Sequence, residues 1–177
     1  MQLVVPHEQF VFLDESGSNL AMARMKARSP RGQRAHCDRP VNRGKNMTML
    51  GAVRASGPVS LRTFEGAVNV ERFDDFIENT LLPNLKPGDI LVMDNLRVHY
   101  SERAQDLLED AGVQILYLPP YSPDLNPIEN VWSVLKHYLR GRGARCVADL
   151  VSAINAIWEE QIARLNMMNI VKSCGYA

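Results

Sequence analysis

No apolar run in this chain approaches the roughly 18 residues that a helix needs to cross a bilayer, so the sequence holds no candidate membrane span. The first ten residues, MQLVVPHEQF, lack the charged start and long apolar core of a signal peptide. Cysteine is scarce. Cys37, Cys146 and Cys174 are odd in number, far apart and without CxxC spacing, which argues against a disulfide framework or a zinc site. Such thiols fit a reducing compartment, and we expect a cytoplasmic protein. Internal repeats and low-complexity tracts are also missing. What remains is 177 residues, 46% apolar and with zero net charge, which suits a single domain spanning 1–177 with a sizeable core.

Zero net charge conceals an uneven distribution. Between Arg24 and Arg54 stand nine basic residues and one acid, Asp38. A second basic group follows in Lys136, Arg140, Arg142 and Arg145, while the acids gather between Glu65 and Glu129. A charge run of this kind is either a solvated loop or a phosphate-binding surface offset by acids elsewhere. On the second reading Arg28, Arg31, Arg34, Arg43 and Lys45 are candidate DNA contacts, joined by Lys136 and Arg140.

Hydrophobic periodicity divides the chain into elements. FVFLDES (10–16) reads as a buried strand ending in two acids, and SNLAMAR (18–24) as its hairpin partner across Gly17. Residues 26–46, with Pro30, Gly32, Pro40 and Gly44, read as a long loop. Strands are expected at 46–56, 58–68, 89–95 and 113–118. Helices are expected at 71–85, at 101–112 with Ser101 as N-cap, at 126–141 and at 147–165. Hairpin strands followed by alternating β and α segments predict an α/β fold, a mixed sheet flanked by helices on both faces.

Asp14 and Asp94 each follow an apolar strand segment. Acids at strand ends can simply be solvated. If the two strands are neighbours, however, the carboxylates emerge on one edge and repel, and a hard divalent cation such as Mg²⁺ relieves that repulsion.

A third acid lies in LPPYSPDLNPIENVW (118–132), where Pro119, Pro120, Pro123 and Pro127 crowd ahead of a helical pattern. Asn126 suits an N-cap and Pro127 the first turn, with Ile128, Val131, Trp132, Leu135 and Leu139 as one apolar stripe. Glu129 falls three residues after Asn126, so it could be no more than the far half of a capping box. That reading leaves Pro119, Pro120 and Pro123 unexplained, because a helix that only caps itself needs no stiff approach. A helix whose first turn must meet something outside itself does. The polar stripe Glu129, Ser133, Lys136, Arg140 would set a carboxylate near a metal with cations further along, beside a phosphate backbone.

The segments LDES (13–16), DNLRVH (94–99) and LPPYSPDLNPIENVW (118–132), with 34 residues between Asp94 and Glu129, resemble the catalytic domain of a DDE transposase. The resemblance is to bacterial insertion-sequence relatives of the mariner superfamily. It implies an RNase H-like fold, a metal-binding triad of Asp14, Asp94 and Glu129, and supporting roles for Asn95, His99 and Asn126. It further implies two Mg²⁺ or Mn²⁺ ions, cleavage of transposon ends, and transfer of the 3′-hydroxyl into target DNA, commonly at TA. The implied partners are DNA and a second copy in a homodimer on DNA; the location is the bacterial nucleoid. Family members carry an N-terminal helix-turn-helix, for which this sequence has no room before residue 10, so we expect it to be a separate subunit or a frameshift-fused portion. A non-catalytic DNA-binding or assembly module, or an RNase H-like nuclease on other substrates, is the alternative.

Overall fold

The computed structural model describes residues 6–23, 28–36 and 44–176. Three strands come first: β1 (Phe10–Ser18), β2 (Met47–Arg54) and β3 (Gly57–Glu65). Then follow α1 (Val70–Phe76), β4 (Ile90–Met93), α2 (Glu102–Asp110), β5 (Gln114–Tyr117), α3 (Pro127–Arg142), α4 (Val147–Glu160) and α5 (Met167–Ser173). The strands form one sheet in the order β3-β2-β1-β4-β5. β1 runs antiparallel to β2 and parallel to β4, and β4 runs parallel to β5, so the sheet is mixed as expected.

Strand alternation explains the two layers of core. Phe12, Val92, Met49 and Val53 face one way and pack with Trp132, Leu135, Ile154 and Val171 of α3, α4 and α5. Val11, Leu13, Leu50 and Met93 face the other way, onto Phe73 and Phe76 of α1 and Leu108 of α2. The predicted stripe of α3 is buried along its whole length, each large apolar side chain contributing about 1.5–3 kcal/mol.

Three expectations need correction. Of the segment 18–24, the described residues 18–23 are not a hairpin partner of β1, and Arg24 lies outside the described residues: β1 runs straight through Gly17 to Ser18, and β2 supplies its antiparallel neighbour from Val11↔Arg54 to Ser18↔Met47. A strand already paired on that edge leaves no ladder for a local hairpin, and the chain turns instead at Asn19, whose side chain accepts from the Ala21 amide. The helix foreseen over 71–85 is α-helical only to Phe76, then passes through a π-helical turn (Ile77–Leu81) and a 3₁₀ turn (Leu82–Asn84). Pro83, which has no N–H to give, sits in that last turn. Helix α5 was not anticipated. Its signals were present in Asn166, which caps it by accepting from the Asn169 amide, and in Met167, Ile170, Val171 and Cys174 at helical spacing.

One glycine fixes how α3 lies on the sheet. A Cβ on Gly51 would stand 2.8 Å from the Trp132 ring, so the indole rests directly on the β2 backbone. Gly51 pairs with Asp14 across the ladder, and the same indole donates from Nε1 to Asp14 Oδ2 at 3.1 Å. Gly51→Ala is therefore expected to cost about 1–3 kcal/mol by overpacking and to lower the melting temperature by roughly 2–4 °C for each of them. Adding Gly51→Ala to Trp132→Phe, which removes the offending ring atoms, should cost clearly less than adding it to the wild type. Equal costs in the two backgrounds would show that the indole does not set this spacing.

Candidate active site

The parallel pairing of β1 with β4 positions the first two acids. Phe12 is registered with Val92, and two residues further along each strand lie Asp14 and Asp94. Asp14 is not at a strand end, as foreseen, but inside β1, buried and flanked by Gly51. Asp94 comes just after β4 and is half exposed. Glu129 lies in the first turn of α3 and faces solvent. All three border one open cleft of about 490 Å³, together with Asn95, Leu96, Asn126 and the loop from Leu118 to Pro123. None of the described residues lining it is basic. The carboxylates border the cleft without converging: among the described residues no three His, Cys, Asp or Glu side chains stand close enough to hold one ion.

The electrostatics of the two strand acids differ. Burial, reinforced by repulsion from Glu129 and Glu15, pushes Asp14 up to about 7. Asp94 is held below its ordinary value by a hydrogen bond from His99, against the opposing effect of its own partial burial. The His99 ring is fully buried. Burial alone would keep it neutral, but its bonds to Asp94 (Nδ1 to Oδ1, 2.9 Å) and Glu15 (Nε2 to Oε2, 3.1 Å) outweigh that and raise it to about 10. His99 is thus an imidazolium at neutral pH. It balances Asp94 and Glu15 and leaves Asp14 with a neutral donor, the Trp132 indole.

Asn95 lines the same cleft, and its side chain is engaged by hydrogen bonds to Leu118 and Tyr100. Its amide donates to the Leu118 carbonyl and its oxygen accepts from the Tyr100 hydroxyl, which ties the end of β4 to the end of β5. Tyr100 in turn stacks on Tyr117, with ring centroids 4.5 Å apart. Asn126 holds the N-cap position but does not cap with its side chain. Its Oδ1 is buried without a hydrogen-bond partner among the described residues, at the edge of the cleft. The capping box does not form either, because the Asn126 amide is taken by the Pro123 carbonyl at 3.0 Å. Glu129 is consequently free of the local task that would have explained it, and among the described residues no hydrogen bond or ion pair engages its carboxylate.

Sequence reasoning missed Glu15 and Trp132 as parts of the site. Glu15 was legible in principle: adjacent strand residues face opposite ways, so LDES had to send its second acid to the other side, where His99 lies. The indole bond to Asp14 had no local signal.

Of the basic candidates, Arg28, Arg31 and Arg34 are exposed and make no ion pair among the described residues. Arg43 lies outside the described residues. Lys45 is engaged with Glu65 at 2.6 Å. Lys136 and Arg140 lie on the Glu129 face of α3, without an ion-pair partner among the described residues.

The approach to α3 holds one strained residue. Tyr121 has φ of 58°, the only non-glycine with positive φ among the described residues, and its side chain is fully exposed. Such a conformation costs on the order of 1–3 kcal/mol.

A mixed sheet of this order, covered by helices on both faces and carrying acids along the edge where its parallel strands end, is the RNase H-like class of fold. The chain belongs to the DDE superfamily endonuclease family, whose model matches residues 9–151. It is 28% identical over 120 residues to the Tcb1 transposase of Caenorhabditis briggsae, covering 66% of this chain and 44% of that one. The pre-cleavage Mos1 transpososome matches with a TM-score of 0.78 at 20% identity, over 96% of this chain and 54% of that chain. The Mos1 mariner paired-end complex with Mg matches with a TM-score of 0.74 at 21% identity, over 93% of this chain and 53% of that chain. At these identities the structural likeness speaks for the fold. The chain spans about half the length of the curated relatives it matches.

Asp14 allows a direct check of the electrostatics. A carboxyl whose folded value is raised binds its proton more tightly when folded. Its contribution to stability is therefore greatest in acid and is lost as pH rises from 3.8 to about 7. In chelator, Asp14→Asn should flatten that part of the pH profile and melt higher than the wild type above neutral pH, by about 2–4 °C per kcal/mol relieved. Parallel stability profiles for the two proteins would mean that Asp14 ionises without strain.

Proposed function

We propose that this chain is the catalytic portion of a DNA transposase, cleaving DNA at transposon ends and joining the freed 3′-hydroxyl to target DNA. The observation that carries the reading is the cleft itself: Asp14, Asp94 and Glu129 border it, no basic side chain among the described residues lines it, and Asp14 is forced up to about 7 by burial and its neighbours' charge. The donor set is suited to a hard divalent cation. It consists of oxygen ligands only, three of them carboxylates, and the unpartnered buried Oδ1 of Asn126 lies beside them.

Asp14, Asp94 and Glu129 are the residues that would hold Mg²⁺ or Mn²⁺, and we propose two ions. When bound, such ions supply charge neutralisation at the scissile phosphate and an acidified water or 3′-hydroxyl. The chain's own groups do the rest. His99 keeps one oxygen of Asp94 fixed and leaves the other free. Trp132 holds one oxygen of Asp14 where the side chain borders the cleft. The first turn of α3 brings Glu129 to the same cleft, and Lys136 and Arg140 along that face suit the phosphates leading away from it. The likeness to the Mos1 paired-end complex with Mg supports divalent-metal use. We assign recognition of the transposon ends to a helix-turn-helix outside the matched portion, and pairing of the ends to a homodimer on DNA. The greater length of the relatives supports the first assignment.

Glu129→Gln keeps the side chain's shape and removes its charge. We expect metal-free melting to stay level or rise, because Asp14 loses a repelling neighbour, while Mg²⁺-dependent nicking of plasmid DNA falls by at least 10²-fold, about 2.7 kcal/mol of barrier. Asp94→Asn should lose nicking likewise. A Glu129→Gln chain that nicks normally would sink the catalytic assignment of Glu129, and a wild-type chain that binds DNA without nicking it would leave a DNA-binding module.

The cationic face has its own readout. Lys136→Ala with Arg140→Ala should weaken DNA binding and flatten its log–log salt dependence by about 0.9 for each phosphate that is no longer neutralised. An unchanged slope would return both residues to solvent.

A further inference from the structure

The cleft is lined by two kinds of side chain besides the polar Asn95, Ser122 and Asn126: the carboxylates of Asp14, Asp94 and Glu129, and the apolar Leu118, Pro119, Pro120 and Pro123, which form its apolar wall. Two exposed apolar side chains stand at this wall, Leu96 just after Asp94 and Tyr121 in the proline loop. The Tyr121 side chain meets no other ring and makes no hydrogen bond or ion pair among the described residues, so nothing described inside the protein uses it. Its backbone sits in the left-handed region, which glycine would occupy without strain. The loop holds it there between Pro120 and Pro123, whose own φ angles are fixed. A strained residue that presents an aromatic ring to solvent, at the mouth of a cleft, is built for an outside ligand.

We propose that Tyr121, with Leu96, forms a seat for one unpaired nucleobase beside the scissile phosphate. This rests on the DNA-cleaving reading above and adds a subsite to it. The choice of ligand follows from the chemistry of the lining. The apolar side chains offer no donor to a phosphate, none of the described residues lining the cleft is basic, and its carboxylates repel a phosphate unless a cation intervenes. The flat, uncharged part of the same ligand is its base. Bases within a duplex already have both faces stacked, so only an unpaired base can offer one to the tyrosine ring. The cleft therefore favours DNA that is frayed or opened at the cut.

The test uses duplex DNA with a short 3′ overhang that carries 5-iodouracil at each overhang position in turn. The full chain is bound to it in calcium, irradiated, and the crosslinked peptide sequenced by mass spectrometry. We expect the crosslink at Tyr121, retained in Tyr121→Phe and reduced about tenfold or more in Tyr121→Gly, the size of one base–aromatic stack. Tyr121→Gly should melt at or above the wild-type temperature, which separates this effect from unfolding. Leu96→Ala should lower the yield by a smaller factor. Crosslinks that map elsewhere, a blunt duplex that competes as well as the overhang, or no crosslink at all would overturn the base seat. Plasmid nicking in Mg²⁺ on the same preparation keeps the two readings apart: nicking without a Tyr121 crosslink removes the seat alone, and a Tyr121 crosslink without nicking removes the catalysis alone.

Discussion

Four carboxylates, Asp14, Glu15, Asp94 and Glu129, share one part of the fold with a single imidazolium, His99, which pairs with only two of them. His99 is bound to Asp94 and Glu15 and has nothing left for the others. The fold thus satisfies half of its acidic cluster and leaves half in deficit. Asp14 bears most of that deficit, because burial deprives it of water while Glu129 and Glu15 add repulsion. Every neighbouring element can be understood as holding this arrangement against its own charge. β1 is paired with β2 through Asp14 and well beyond it, to Ser18↔Met47, so Asp14 cannot swing out by fraying.

The position of α3 follows from the same requirement. The Trp132 indole lies on the strand backbone where Gly51 leaves room, and from there its N–H reaches Asp14. A larger residue at position 51 would lift the ring and, with it, the helix that carries Glu129. From the other side the C-terminal segment closes on the loop before α3: the Tyr176 hydroxyl donates to the Leu125 carbonyl at 2.8 Å, and its ring packs against Phe10 and Phe12 of β1. Strand and helix are pinned to each other by the Trp132 indole and, through the loop before α3, by Tyr176, so the placement of α3 against β1 is a property of the core and not of a surface loop.

Much of this was legible in the residues. The apolar runs before Asp14 and Asp94 placed two strands, and the stripe from Ile128 to Leu139 placed α3 with its buried face. The mixed sheet with helices on both sides followed from the order of elements. What was not legible depended on partners distant in sequence. Nothing near Asn19 says that β1 will already be paired by residues about thirty positions later, so a local hairpin seemed reasonable. The capping box had the right letters at 126 and 129, yet the Pro123 carbonyl reached the Asn126 amide first. The bond between Trp132 and Asp14 spans 118 positions and has no local trace at all. Burial and charge can be read from pattern; which donor reaches which acceptor depends on the packed core.

The prolines ahead of α3 can now be given a physical reason. Two tasks fall on the loop from Leu118 to Asn126. It must deliver Pro127 and Ile128 into the core, so that the first helical turn stands at the cleft, and it must hold Tyr121 in a conformation that a free chain would leave at once. Neither task stabilises the loop itself. Pro119, Pro120 and Pro123 reduce the number of conformations open to the unfolded segment, and so lower the entropy lost when it is fixed. The Pro123 carbonyl accepts from the Asn126 amide and the Asn126 carbonyl from the Glu129 amide, so the turn Pro123–Leu125 runs into the helix with no slack. The rigid approach fixes the backbone of Glu129 relative to Asp14, while its exposed carboxylate, which no hydrogen bond or ion pair among the described residues restrains, is left to turn toward a cation.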